Sequence, residues 1–331
     1  MDNLAHALTG IAASALISPK VFKKHKTRLA LSSAAIANIP DIDFLLNIFG
    51  QTVYHFHHRG LTHSFVGLPL IFGLAYFAMW LIWRKKLKEN FTTRSLFIWL
   101  LTQLLFCHFF LDFLTSYGVM LVYPLSMSRY AFPLMFIIDP VMWLILSIGS
   151  FFILRRSQEE TKFRKAGIVV LAMVLGWWTV LSTFKATAEH SSFPHSYGAE
   201  AYPAPLAPLG WLVIDHDKHP IDMSLVSFYP KIAPRVKPQA IPMKLIVNDS
   251  CQQMGFSRSP AFYRYKRWAG DVLCEDAPSE GTCICHSARY GFGVSEGRFY
   301  FGSVKIDYSS VEFVQFSRQH WLADYQKAFF E

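Results

Sequence analysis

His58-Arg59-Gly60-Leu61-Thr62-His63-Ser64 runs directly into an apolar stretch, Phe65 to Trp83, that is long enough to cross a bilayer. Histidines and an arginine at the edge of hydrocarbon cost free energy unless something there uses them. The juxtaposition recurs at His108-Phe109-Phe110-Leu111-Asp112, inside a second apolar run. Together the two stretches predict membrane helices that build a polar site.

Working outward, four apolar segments lie at about 64–83, 95–118, 134–154 and 166–184. Each approximates the ~20 residues of a membrane span. Two earlier segments, about 3–18 and 29–48, are shorter or less apolar. They carry small residues such as Ala13, Ser14, Ala34, Ala35 and Ala37, which suit close helix packing. The bulk composition agrees: of 331 residues 52% are hydrophobic, and mean hydropathy is +0.25. Charged residues make up 17%, against roughly 25% in soluble domains.

The net charge of +9 does not form a nucleic-acid-binding patch. Over residues 1–186 its lysines and arginines fall mostly in three short clusters between apolar runs: Lys20 to Arg28, Arg84 to Arg94, and Arg155 to Lys165. That is the distribution of loops facing the cytoplasm. All three clusters agree with one topology of about six helices, with both termini outside. The first segment carries Asp2 and His6 and no preceding basic stretch, so no cleavable signal peptide is expected. This topology brings His6, Asp41, Asp43, His55, His57, His58, His63, His108, Asp112 and Asp139 to the outer side, although it is drawn from charge alone.

From about 186 the character changes. Prolines punctuate Ser192 to Pro242, and short alternating runs follow, such as Lys244 to Val247 and Arg298 to Ile306. The expected fold is therefore a multi-pass α-helical membrane domain over 1–186, followed by a small β-rich extracytoplasmic domain over 187–331. Cys251, Cys274, Cys283 and Cys285 lie in this tail. Outside the cytoplasm they suit one or two disulfides. A zinc site using Cys283, Cys285 and His286 is the alternative, although Cys-Ile-Cys is the wrong spacing for a standard knuckle. Cys107 reads as a buried apolar residue.

His108 and Asp112 are four apart and share a helix face, which Thr115 extends. They suit one metal ion or an interhelical hydrogen bond. His63 opens a helix, with Thr62 or Ser64 as its cap. Arg59 suits an anionic substrate group, or snorkels to the headgroups. Asp41 and Asp43 flank a proline-restricted bend, where they hold a divalent ion or cap the next turn. Asp139, before Pro140, suits the orientation of a ligating histidine. Of His55, His57 and His58, at most one is expected to be a ligand. A mixed His/Asp set with open positions is what hydrolytic metal sites require. No Walker loop or serine elbow competes for the role.

Met1 to Gly10, Pro40-Asp41-Ile42-Asp43, Arg59 to Ser64, His108 to Gly118, Pro124-Leu125-Ser126 and Ile138-Asp139-Pro140 occur in this order. In these stretches the chain resembles the YdjM-type family of bacterial inner-membrane proteins, described as membrane-bound metal-dependent hydrolases. The resemblance covers roughly residues 1–145 and reaches the tail only loosely. It implies a polar core of His6, Asp41, Asp43, His63, His108 and Asp112 in the cytoplasmic membrane. A distant similarity to zinc-dependent phospholipase C and P1-type nucleases would imply phosphoester cleavage, which is analogy.

The expectation is one or two divalent ions, zinc first and manganese second. They would activate water against a lipid-linked or membrane-proximal ester, with Asp41, Asp43 and Arg59 in the chemistry. The bilayer and a lipid substrate are the expected partners, and nucleic acid is not one. A divalent-metal transporter or a non-catalytic scaffold with a structural metal would use the same ligands.

Overall fold

The computed structural model describes residues 2–17, 19–90, 92–155, 160–218, 222–228, 233–239, 260–270, 272–276, 282–287, 291–292, 299–300, 304–306 and 311–313. The chain divides into two compact units. One comprises Met1–Asn47 and His57–Val180, and the other Ile48–Phe56 and Leu181–Glu331.

The first unit is helical. Helix α1 (Asn3–Ile17) begins at Asp2, whose Oδ1 accepts from the Leu4 and Ala5 amides at 3.0 and 3.1 Å. It packs on α2 (Pro19–Ala37) through small residues, with Ala5, Ala15 and Ala37 fully buried. A Cβ at Gly10 would lie 3.0 Å from the Ser33 carbonyl oxygen and 2.5 Å from Gln103 Oε1, so the missing side chain lets the helices approach without displacing Gln103. Ser14 Oγ sits 2.5 Å from Ser33 Oγ and accepts from Trp99 Nε1 at 2.7 Å. These polar contacts join α1, α2 and α5 (Thr93–Leu101) where the helices are otherwise apolar.

Three of the apolar segments are deformed. After α2 the chain bends by 49° into a 3-10 stretch, Ile39–Phe49, where Pro40 withholds an amide donor. Helix α3 (Gln51–His57) and the 3-10 turn Leu61–His63 lead through a 69° bend into α4 (Gly67–Asn90). Between α5 and α6 (Phe110–Phe113) the backbone is π-helical over Thr102–Phe109. Helices α7 (Pro140–Arg155) and α8 (Glu160–Ser192) complete the bundle, with the end of α8 belonging to the second unit.

The sequence leads one to expect about six spans. Among the described residues two helices qualify by length and apolar character, Thr93–Phe113 and Thr161–Ser192, and up to four spans result if each bent pair counts as one. Helix α1 has 15 residues and α7 has 16, short of the ~20 a span needs. Lipid contact is nevertheless written on the surface. Leu70, Leu74 and Phe77 of α4 and Val169 and Met173 of α8 remain at least half exposed.

The two ends of the bundle differ chemically. Lys26, from the first basic cluster, donates to the carbonyl of Leu154, beside the third cluster. At the other end, Trp143 Nε1 donates to Asp2 Oδ2 (2.9 Å) and Trp177 Nε1 to Asp139 Oδ2 (3.2 Å). Asp139 Oδ1 accepts from the Met142 amide at 2.8 Å. Asp139 thus caps α7 and fastens it to α8, in place of the expected role orienting a histidine.

In the second unit, β1 (Ala199–Ala204), β2 (Ala207–Asp215), β3 (Asp222–Ser227) and β4 (Arg235–Gln239) form an antiparallel meander. Lys185 Nζ donates to the Ala201 carbonyl at 2.7 Å, and the Ala201 amide donates to Glu189 at 2.9 Å, tying the end of α8 to β1. A second sheet has the order β10-β9-β6-β5, from Val311–Phe313, Val304–Ile306, Cys283–Ser287 and Val272–Asp276. A hairpin of β7 (Gly291–Phe292) and β8 (Phe299–Tyr300) stands apart from it in the pairing.

Cys274 faces Cys285 across the β5–β6 pair and is disulfide-bonded to it. Cys283 is disulfide-bonded as well. Zinc needs thiolates, so the alternative of a site on Cys283, Cys285 and His286 is overturned. The expected strand at Lys244–Val247, and Cys251, lie outside the described residues.

Candidate metal centre

Each break in the first unit delivers a side chain to one place. The bend after Ala37 presents Asp41, the 3-10 turn before α4 presents His63, and the end of the π-helical segment presents His108, with Asp112 four residues on. One nitrogen or oxygen from each of these four residues lies within 4.8 Å of the others. The side chains of His63, His108 and Asp112 are completely buried, and that of Asp41 is 12% exposed.

Hydrogen bonds decide the tautomers. His108 Nδ1 lies 2.6 Å from the Ala37 carbonyl oxygen, and His6 Nδ1 lies 2.8 Å from that of Cys107. A carbonyl only accepts, so both rings carry their hydrogen on Nδ1. Thr62 Oγ1 donates to Asp43 Oδ2 at 3.0 Å and therefore accepts from His63 Nδ1 at 2.8 Å. As neutral rings, all three histidines present a lone pair on Nε2.

Those lone pairs face other acceptors. His63 Nε2 lies 2.8 Å from His108 Nε2 and 3.1 Å from Asp112 Oδ2, and His108 Nε2 lies 3.4 Å from that oxygen. Asp41 Oδ1, buried and without a hydrogen-bond partner among the described residues, is 3.6 and 3.9 Å from the two nitrogens. Acceptors gathered this closely repel unless a proton or a cation lies among them. Most of the spacings approach the roughly 3.4 Å edge of a tetrahedron built on bonds about 2.1 Å long. The residues present therefore fit a small divalent ion.

Arg59 and His6 flank this group. His6 Nε2 is 3.2 Å from Asp112 Oδ1, close but outside hydrogen-bond geometry, and its ring stacks on His108 with centroids 4.1 Å apart. Arg59 is buried rather than snorkelling. It donates to Asp112 Oδ1 at 2.8 Å and to Thr115 Oγ1 at 3.0 Å. Its backbone occupies the left-handed region (φ 58), a strained state for a side-chain-bearing residue. The Arg59 amide donates to Asp43 Oδ2 at 2.7 Å, and its carbonyl accepts from Met120 at 3.0 Å.

Asp43 gathers three donors, from His58 Nδ1 (2.8 Å), the Arg59 amide and Thr62. It also forms, with Asp41 and His58, a second group able to hold an ion. Glycine is required at Gly67, where a Cβ would stand 1.7 Å from the Leu61 carbonyl oxygen. Ser64, not Thr62, opens α4, its Oγ accepting from the Gly67 amide at 3.0 Å.

A family model of YdjM inner membrane proteins matches residues 1–186, which include every residue of this centre. The chain belongs to the YdjM inner membrane protein family. That membership makes it a membrane protein and supports the inner membrane as its location. A relative is the uncharacterized protein YfhP of Bacillus subtilis (strain 168), 29% identical over 149 residues. The alignment covers 44% of this chain and 43% of YfhP, so the chain spans less than half the length of that relative. No solved structure matches.

Of the residues expected from the sequence, the structure gathers His63, His108, Asp112 and Asp41 into one group, with His6 and Arg59 touching Asp112. His57 Nδ1 instead meets the Tyr123 hydroxyl at 3.0 Å, and the His55 carbonyl accepts from Trp268 at 2.9 Å in the second unit. Sequence reasoning did not single out His58 from its neighbours, nor assign Thr62 its place between Asp43 and His63. The fifteen-residue interval between Asp43 and His58 passes from the 3-10 stretch through Gly50 into α3 and carries no single periodic signal.

Proposed function

We propose that this YdjM protein is a membrane-bound metal-dependent hydrolase acting on a lipid-linked or membrane-proximal ester, with a phosphoester the first choice. The observation that carries the reading is the buried Asp41 Oδ1, without a hydrogen-bond partner among the described residues, facing two imidazole nitrogens that are committed to be acceptors. Asp41, His63, His108 and Asp112 would hold the ion, zinc before manganese, and Asp41, Asp43 and His58 could hold a second. A divalent ion there supplies acidified water and charge stabilisation at the attacked oxygen.

The chain's own groups set the rest. Ala37 and Cys107 carbonyls and the Thr62 hydroxyl fix the three imidazoles. Asp43 holds Thr62 and the Arg59 turn, so it acts chiefly by positioning. Arg59 balances Asp112 and brings positive charge beside an anionic ester. Asp41, the only one of the four ligands with an exposed fraction, takes the proton from water. In the proposed topology the basic ends of the helices face the cytoplasm, and the centre and the C-terminal unit face outward.

A second reading, a structural ion that only ties helices together, is favoured by the complete burial of three of the four ligands. Metal content and turnover separate the two. Detergent-purified protein is expected to carry near-stoichiometric zinc or manganese, which Asp112→Asn loses, and to hydrolyse phospholipid or phosphoester probes only when loaded. Metal without turnover over a broad ester panel would favour the structural ion. Absence of metal in both proteins after supplementation would sink both readings.

A further inference from the structure

Between the two helices that qualify as spans, and against α1, lies a groove of about 470 Å³. Its polar side chains are turned away: Thr9 Oγ1 donates to the Ala5 carbonyl at 2.7 Å, and Thr102 Oγ1 to that of Ile98 at 2.9 Å. Among the described lining residues the groove therefore offers hydrocarbon almost throughout. Its walls face lipid, since Phe106 is 62% exposed and Leu175 48%.

The groove has a direction. Along α8 its lining runs from Gly167 to Trp178, eleven residue steps or about 16 Å at roughly 1.5 Å each. That is close to half the roughly 30 Å hydrocarbon thickness of a bilayer, the depth of one leaflet. Cys107 and Leu111, which line it, immediately precede His108 and Asp112, so the groove and the metal centre share a wall. At this same end stands Trp178, whose indole Nε1 is buried without an acceptor among the described residues. An indole N–H there suits the carbonyl of an ester joined to a chain lying below it.

We infer that this groove is a binding site for one acyl chain of a bilayer phospholipid, seated with its ester end beside the metal centre. An apolar slot one leaflet deep, open laterally to lipid and closed to polar groups, selects a single chain rather than a headgroup. The site stands on the groove alone. If the hydrolase reading also holds, the bound lipid places its ester region next to the ion.

The test uses the full chain reconstituted in phosphatidylglycerol vesicles that contain a phospholipid with a mid-chain diazirine. Irradiation followed by peptide mass spectrometry is expected to concentrate adducts on 102–111 and 167–178. The lipid-facing residues Leu70 to Phe77 of α4 should be labelled several-fold less. Ala13→Trp, filling the groove from α1, should reduce those adducts several-fold. Leu171→Trp, on a partly exposed position, should do the same and guards against misfolding of the first variant. Asp112→Asn should keep the labelling, so that failure of the metal reading and failure of this one are distinguishable. Adducts spread evenly over all lipid-facing helices, or undiminished by both tryptophans, would overturn the inference. So would a covalent dimer joined through 102–111 and 167–178 when the same vesicles are treated with a bifunctional cross-linker, since it would make a second copy the occupant.

Discussion

Thr62→Val removes one oxygen and leaves shape nearly unchanged, yet it cuts the link between Asp43 and His63. In the native chain the Thr62 hydroxyl donates to Asp43 at 3.0 Å and accepts from His63 Nδ1 at 2.8 Å. Each such bond contributes about 1 kcal/mol net, so about 2 kcal/mol of organisation at His63 is lost. If most of that falls on the ion-binding state, affinity drops roughly 30-fold, at about 1.4 kcal/mol per decade. Partners that orient metal-ligating histidines carry about 10–100-fold in affinity, which brackets the same figure. The assay is competition with a chromophoric chelator on detergent-purified full chain, alongside Tm with and without added zinc. Thr62→Ser retains the hydroxyl and should recover most of the affinity, whereas a merely steric role for Thr62 would leave the serine variant as weak as valine. Unchanged affinity in Thr62→Val would refute the assignment of His63 Nε2 as a ligand fixed through Thr62.

Other outcomes follow from single contacts. Asp112→Asn removes a ligand and leaves Arg59 buried beside a neutral amide, so thermal unfolding should reveal a loss of about 3–5 kcal/mol together with the loss of metal. Gly67→Ala drives a Cβ into the Leu61 carbonyl and should abolish accumulation in the membrane fraction. Gly73→Ala on the same helix, with nothing within 4 Å, should accumulate normally. Asp139→Ala uncaps α7 and should lower stability by about 1–2 kcal/mol while metal content stays unchanged, which separates this aspartate from the centre. In non-reducing peptide maps Cys274 and Cys285 should travel as one linked pair, and should accept alkylating reagent only after reduction.

The parts of the centre legible in the sequence were those carried by regular geometry. His108 and Asp112 are four apart, and even across the π-to-α junction they remain on one face, 3.4 Å apart at their nearest atoms. Asp41 was legible from its place beside a proline at the edge of an apolar segment. Asp43 drew the same inference from the same pattern, but its oxygens are engaged by three donors, a difference set by where the chain returns after the 3-10 stretch and α3. The burial of Arg59 was not legible, because its partner lies 53 positions away and its backbone adopts a conformation for which side chains carry no signal. Only two to four of the about six expected spans are recognisable among the described residues, for a related reason. Hydropathy averages over a window and does not register the bends of 49° and 69° that divide two segments where the ligands emerge. Of the tail, alternation announced strands, and β9 falls within the run read from Arg298 to Ile306.

The π-helical segment carries one consequence for how such a site is inherited. A π turn accommodates an extra residue relative to regular helix, and each residue advances an α-helix by about 100°. Deleting a single residue between Thr102 and Phe106 would mend the hydrogen-bond ladder and leave the segment as apolar as before. It would also swing His108 and Asp112 by about 100° away from His63 and Arg59. Membrane insertion and the metal centre are thus written in separable features of the same stretch. A relative with the same hydropathy profile but one codon fewer here would be inserted like this chain and lack its buried Asp/His cluster.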